Sequence, residues 1–435
     1  MSNSLLGFLG IVALFALLAI RIPVAFAMFL VGIVGVSILN GFGPAVSLLA
    51  SESFTLASNQ DLVVVPLFIL MGNVATQSGM SRSLYDAAYA WIGQVRGGLA
   101  SATVMGCAGF AALSGSSIAT ALTIGSVSLK EMARFKYNRR LATGVVAAGG
   151  TLGILIPPST AFVIYAILTQ QSIGRLFLAG VLPGLMLTGL FILAITLICW
   201  FMPHYGPPGA KTSFREKLLA LAGALPILTI VLLTIGGLYV GLFSPIEAAA
   251  VGAALAILFG FVLRSLSVEG LVVALRDSLS TTATVMLILI SAHILNPFIA
   301  LTHIPLAVGS FLTSLDIGPY GILLIIILVY IVLGCFLEGF SMLVLTMPVF
   351  FPIVMDLGFD PIWYGVILVI VLEMAMISPP VGVNAFMVKS IAKDVPLSEI
   401  FIGILPFWGM MILAVLILMI FPQIALILPN TMIGS

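Results

Sequence analysis

Residues 149–160 read Gly-Gly-Thr-Leu-Gly-Ile-Leu-Ile-Pro-Pro-Ser-Thr, and residues 377–384 read Ile-Ser-Pro-Pro-Val-Gly-Val-Asn. Each sets a pair of prolines inside a long apolar stretch, at 141–169 and 362–391. Two adjacent prolines remove two backbone donors and bar the residue before them from α geometry, so a helix through either stretch must unwind there. The pairs Pro157-Pro158 and Pro379-Pro380 lie 222 residues apart, and the same spacing separates Pro23 from Pro245. The stretch Gly106-Cys107-Ala108-Gly109-Phe110 is echoed by Gly334-Cys335-Phe336-Leu337-Glu338-Gly339-Phe340. The chain therefore reads as a duplication, with one repeat in residues 1–217 and the other in 218–435.

Composition sets the solvent. Of 435 residues 62% are hydrophobic and 7% charged, with a formal net charge of +1, whereas ordinary soluble domains carry roughly 25% charged residues. No soluble surface can be assembled from that, and no basic run suggests nucleic acid as a partner. Period-2 alternation is missing, which excludes an outer-membrane barrel. The expected fold is an all-α polytopic membrane protein. Cys107, Cys199 and Cys335 lie in apolar sequence without Cys-x-x-Cys spacing and read as small buried hydrophobes. The first apolar stretch has no basic residue ahead of it and no small-residue cleavage pattern, so it is expected to be the first membrane helix rather than a removable signal.

Several apolar stretches exceed the ~20 residues that cross a bilayer. Residues 97–128 and 319–355 are therefore expected to double back as re-entrant hairpins, and 141–169 and 362–391 to be broken helices. The loop after the first hairpin, Lys-Glu-Met-Ala-Arg-Phe-Lys-Tyr-Asn-Arg-Arg, is basic, whereas the loop after the second carries Asp356 and Asp360 and no Lys or Arg. By the positive-inside rule the two halves run in opposite senses, an inverted repeat of the kind secondary transporters use for alternating access, with both termini periplasmic. Only Arg175 fits this orientation poorly.

Each half has two places where chemistry could occur. The hairpin tips are Leu113-Ser114-Gly115-Ser116-Ser117 with Thr120, and Glu338-Gly339-Phe340-Ser341. Non-helical backbone at membrane depth costs several kcal/mol per unpaired group unless it lines a cavity or holds a ligand. A hard monovalent cation is such a ligand: helix C-termini present carbonyls to it, while opposing N-termini favour an anion. Small residues at a tip also serve simple close packing of helices, and a lone proline would merely kink one. Paired breaks at symmetric positions favour two cation sites flanking a central substrate.

The runs GFAALSGSSIATALTIGSVSLKEM and GTLGILIPPSTAFVIYA, the early RIP, SPIEAAAVGA in the middle and ISPPVGVNAF near the end resemble the large membrane subunit, the M or DctM subunit, of tripartite ATP-independent periplasmic (TRAP) transporters. The resemblance covers essentially the whole chain. It implies a sodium-driven elevator importer of a small organic anion, such as a C4-dicarboxylate, a sialic acid or another carboxylate, with sodium as coupling ion and no other cofactor. It also implies two partners, a small four-helix membrane subunit of the Q type and a periplasmic substrate-binding protein of the P type. By that similarity the first sodium site draws on Ser114, Gly115, Ser116 and Ser117 with Gly149 to Gly153, and the second on Gly339 and Ser341 with Val381, Gly382 and Asn384. Substrate would lie between the tips, near Ser159, Thr160 and Ser378 and the prolines Pro157 and Pro379. The second tip departs from a Ser-rich pattern and carries Glu338.

Other charges weigh as follows. Glu373, five residues before Ser378, would either orient the broken helix or carry a proton; Glu247, after Ser244-Pro245, suits dipole capping at a helix start. His293 and His303 read as interfacial residues near a helix end, and residues 44–60 and 264–280 as amphipathic arms along the membrane surface or a docking face for the small subunit. An enzyme is the competing class, but neither His-Glu-x-x-His nor Gly-x-Ser-x-Gly with acid and base occurs. A passive channel is the third.

Overall fold

A computed structural model describes residues 3–334 and 337–432; Cys335 lies outside them. Among the described residues the regular structure is all helical. The first half comprises α1 (Asn3–Ala19), α2 (Val24–Asn40), α3 (Phe42–Ala57), α4 (Val64–Gln77), α5 (Met80–Ile92), α6 (Gly98–Ser114), α7 (Ser117–Arg134), α8 (Arg139–Leu155), α9 (Thr160–Thr169) and α10 (Ile173–Phe201). The second comprises α11 (Phe214–Tyr239), α12 (Pro245–Val262), α13 (Val268–Leu301), α14 (Ile304–Thr313), α15 (Gly318–Leu333), α16 (Gly339–Asp356), α17 (Pro361–Met376), α18 (Val383–Ile391), α19 (Leu397–Ile420) and α20 (Gln423–Thr431). Among the described residues, seven helices are long and apolar enough to cross a membrane, and α8 with α9, bent by 42° at their break, would make an eighth.

Helix starts follow the 222-residue spacing. It separates Ser117 of α7 from Gly339 of α16, and Arg139 of α8 from Pro361 of α17. The packing is reciprocal too: α2 lies on α13 while α4 lies on α12, and α7 lies on α18 while α16 lies on α9. The Gly-Cys echo is not part of this correspondence. Gly106 sits inside α6, whereas Gly334 follows the end of α15. That match came from an apolar sequence of low diversity.

Local chemistry explains the boundaries. Ser244 and Glu247 form a capping box at the start of α12, the Ser244 hydroxyl accepting from the Glu247 N–H and the carboxylate from the Ser244 N–H, so Glu247 is a cap as expected. Asp360 caps α17 by accepting from Ile362 and Trp363 at 2.8 and 3.0 Å. Between α3 and α4 the Asn59 side chain accepts from the Asp61 N–H and starts a 3₁₀ turn. The equivalent stretch of the second half has no such turn, and α13 runs unbroken for 34 residues. The arm expected at 264–280 is thus largely the beginning of this long helix. Its hydroxyls fold back on their own turn, Ser278 onto the Ala274 carbonyl and Thr284 onto that of Ser280. His293 consequently stands within α13, not at an end, and its Nδ1 lies 3.1 Å from a Glu52 carboxylate oxygen on α3.

The two central helices are buried on every face, α8 from Leu141 to Leu155 and α17 from Ile362 to Met376. A helix apolar all round suits such a position. Where α8 crosses α19, a side chain on Gly144 would fall onto the Gly403 carbonyl, and one on Gly403 onto the Arg140 carbonyl. The backbones meet directly, the use membranes make of small residues. At the periphery α11, α12 and α13 expose Leu232, Val262 and Leu279, as a lipid-facing surface requires.

Candidate functional site at the hairpin tips

The first tip lies where α6 gives way to α7. Gly115 adopts φ +58° and a Cβ there would lie 2.8 Å from the Pro158 carbonyl oxygen, so glycine is required both by conformation and by space. Ser116 caps α7, its hydroxyl accepting from the Ala119 N–H at 3.3 Å. The Ser114 and Thr120 hydroxyls meet at 2.8 Å. From the break, the Thr160 hydroxyl donates to the Gly115 carbonyl at 3.0 Å, and Ser159 caps α9 by accepting from Phe162. A Cβ on Gly72 of α4 would stand 2.8 Å from Ser114 Cα. Tip, break and α4 thus hold one another at van der Waals distance.

The break itself is shorter than the sequence suggested. α8 stays helical through Leu155, closing with Ile156 N–H to Leu152 O at 3.0 Å, and the unwound segment is residues 156–159. Gly149 and Gly153 are therefore helical residues. Their small size serves packing: a Cβ on Gly149 would lie 2.9 Å from Cys107 Sγ, and one on Gly153 2.5 Å from the Ser116 carbonyl oxygen. Position 153 has a second consequence, because the helical donors for its carbonyl and that of Ile154 would be residues 157 and 158, which are prolines and carry no N–H. Carbonyls lacking their helical donor thus end α8 beside the tip.

The second tip is built differently. Glu338 caps α16, its carboxylate accepting from the Ser341 N–H at 3.3 Å and the Ser341 hydroxyl at 3.2 Å. A Cβ on Gly339 would stand 3.0 Å from Met376 Sδ. In its break Gly382 adopts φ +54°. The Ser378 hydroxyl is already engaged, donating to Met374 O at 2.7 Å and accepting from Trp408 Nε1 at 2.9 Å. Trp408, next to Phe407 in apolar α19, gave no signal in the sequence. Both Pro-Pro peptide bonds are cis. The first pair is fully covered by protein, whereas Pro379, Pro380 and Val381 are exposed.

In the first half the ends of α6 and α8 and the starts of α7 and α9 meet at the tip and break, and in the second Gly334 after α15 and Gly339 at the start of α16 lie against Ala375 and Met376 at the end of α17, from which α18 follows. Carbonyl ends suit a cation and amide ends an anion, each terminus contributing about 0.3–1 kcal/mol near a surface and more where water is excluded. At the middle stands Glu373, 1% exposed on α17.

Comparison with known proteins shows the family. The family model described as the tripartite ATP-independent periplasmic transporter, DctM component, matches residues 11–424. The chain is 38% identical over 402 residues to the C4-dicarboxylate TRAP transporter large permease protein DctM of Pseudomonas aeruginosa, covering 92% of this chain and 93% of that one. It is 30% identical over 435 residues to the sialic acid TRAP transporter large permease protein SiaM of Vibrio cholerae, covering 100% and 99%. Among solved structures, the YdaH transporter of Alcanivorax borkumensis shares the fold, with a TM-score of 0.59 at 16% identity over 90% of this chain and 88% of that one.

Proposed function

This chain belongs to the DctM component family of tripartite ATP-independent periplasmic transporters, and from that premise we propose that it couples sodium entry to import of a small organic anion. As a permease of this family it is a multi-pass inner-membrane transport protein and not an enzyme. The observation that carries the coupling is the seating of the first tip on its break, with carbonyls that have lost their helical donors at Gly153 and Ile154 and with Thr160 holding Gly115. Sodium would take the carbonyls of Ser114 to Ser117 and Gly153 in one half, and those around Gly339, Ser341, Val381, Gly382 and Asn384 in the other. Gly149, inside α8, would support that site by packing. A carboxylate substrate would then meet the N-termini of α9 and α18 and two bound cations, near Thr160, Ser159 and the prolines Pro157 and Pro379. Ser378, already bonded to Met374 and Trp408, would contribute position more than a free hydroxyl.

The relatives named for C4-dicarboxylate and sialic acid support a carboxylate as substrate class. Delivery by a periplasmic binding protein and assembly with a small four-helix membrane subunit follow from the tripartite family. The reciprocal packing of α7 on α18 and α16 on α9 supports two inverted halves and an elevator motion of the tips and breaks as one body. Both termini are then periplasmic.

Uptake into proteoliposomes tests the reading. Accumulation of a radiolabelled dicarboxylate or sialic acid should require inward-directed sodium, the binding protein and the small subunit, and accumulation undiminished in choline would reject sodium coupling. Cysteine labelling tests the orientation: residues 130–140 and 354–361 should react from opposite faces, and a common face would end the inverted reading.

A further inference from the structure

Three buried side chains at the meeting of the two halves have polar atoms without partners. Both carboxylate oxygens of Glu373, the hydroxyl of Ser117 and both amide atoms of Asn384 make no hydrogen bond among the described residues. Their residues are 1%, 1% and 0% exposed. Glu373 stands on α17, Ser117 opens α7 and Asn384 lies in the first turn of α18. Ser117 and Asn384 are the polar side chains near the carboxylate, without closing a hydrogen bond on it, and Glu338 is near enough to act on it electrostatically. Glu338 is itself occupied by Ser341, and none of the ion pairs among the described residues includes Glu373.

Such a group demands an explanation. Burying a carboxylate without a partner is among the costlier arrangements in a protein, and Ser117 and Asn384 both carry donors that could have closed on it. Instead α7, α17 and α18 bring hard oxygens near one another without closing a hydrogen bond between them. Oxygens of a carboxylate, an amide and a hydroxyl are the donor set of a hard cation. One unengaged carboxylate matches a single charge better than a double one.

We propose that Glu373, Ser117 and Asn384 form a sodium site that joins the first hairpin to the second broken helix. The inference rests on the sodium-coupled reading and deepens it. Ser117 was expected in one cation set and Asn384 in the other, yet both turn to a carboxylate that neither set contained. An ion there ties α7 of the first half to α17 and α18 of the second, so sodium fixes the halves to one another as well as each tip to its own break.

Equilibrium binding of radioactive sodium to the purified complex with its small subunit tests this, with choline holding ionic strength constant. Glu373→Gln keeps the shape and removes the charge; it should lose an ion per chain, or weaken that ion by at least about tenfold, and Asn384→Asp added to it should restore binding from the opposite wall. Glu373→Gln with wild-type stoichiometry and affinity overturns the site. If Glu373→Gln fails to assemble, Asn384→Asp alone decides: a second carboxylate should lower the half-saturating sodium, and unchanged or weaker binding overturns the proposal. Absence of sodium binding to the wild type would instead reject the coupling reading on which the site depends.

Discussion

Gly115→Ala probes the contact between tip and break most directly. At φ +58° an L-residue costs roughly 1–2 kcal/mol. The new methyl would also stand 2.8 Å from the Pro158 carbonyl oxygen, and forced overpacking typically costs about 1–3 kcal/mol. Gly79 supplies the control, because it has φ +66° with nothing within 4 Å of its Cβ position, so Gly79→Ala bears the conformational cost alone. The difference, about 1–3 kcal/mol, corresponds to a 5- to 150-fold change in an equilibrium, here the ratio of molecules with the tip seated to those with it displaced. Initial uptake into proteoliposomes, titrated with sodium, should therefore fall further in Gly115→Ala than in Gly79→Ala, by up to that factor, with both variants present at wild-type amounts. Equal uptake and equal half-saturating sodium in the two would refute the claim that the tip works by pressing on the break.

Thr160→Val keeps the shape and strips the Gly115 carbonyl of its donor, a loss of about 1–3 kcal/mol where a buried acceptor is left unpaired; melting temperature and uptake should both drop and Thr160→Ser should recover them, whereas a wild-type Thr160→Val would discount the bond. Ser244→Ala removes the α12 cap and should cost about 1 kcal/mol, read as a lower melting temperature with uptake unchanged; a loss of uptake at normal stability would give Ser244 a role in transport. His293→Ala and Glu52→Ala should each destabilise, and their double-mutant cycle should show a coupling of roughly 0.5–1 kcal/mol; strictly additive effects would mean the pair does not brace α3 against α13.

What the sequence disclosed was local or periodic. The Pro-Pro pairs could be read because missing donors act wherever they occur, and the shared spacing of Pro157, Pro379, Pro23 and Pro245 recurs between the starts of α7 and α16 and of α8 and α17. Ser244-Pro245 with Glu247 announced a cap for the same reason. Reading failed where packing overrides propensity. Gly149 and Gly153 look like part of a break, yet α8 continues through them because Cys107 and Ser116 leave no room for a side chain. His293 lies well inside α13, because the serines and threonines before it bond back onto their own helix and the helix continues to Leu301. The company of Glu373 was illegible: Ser117 lies far away in the chain, and nothing in either stretch records that the two helices would meet. Trp408 on Ser378 is the same kind of fact.

The crossing of α8 and α19 at Gly144 and Gly403 limits how the molecule can rearrange. With carbonyls filling the space that side chains would occupy, the pair has no cushion to deform. Sliding α19 by one turn, about 5.4 Å, would bring Ile400 or Phe407, which share the Gly403 face, against the α8 backbone. The two rods are splinted, so any rearrangement of the first break must move α8 and α19 as one piece.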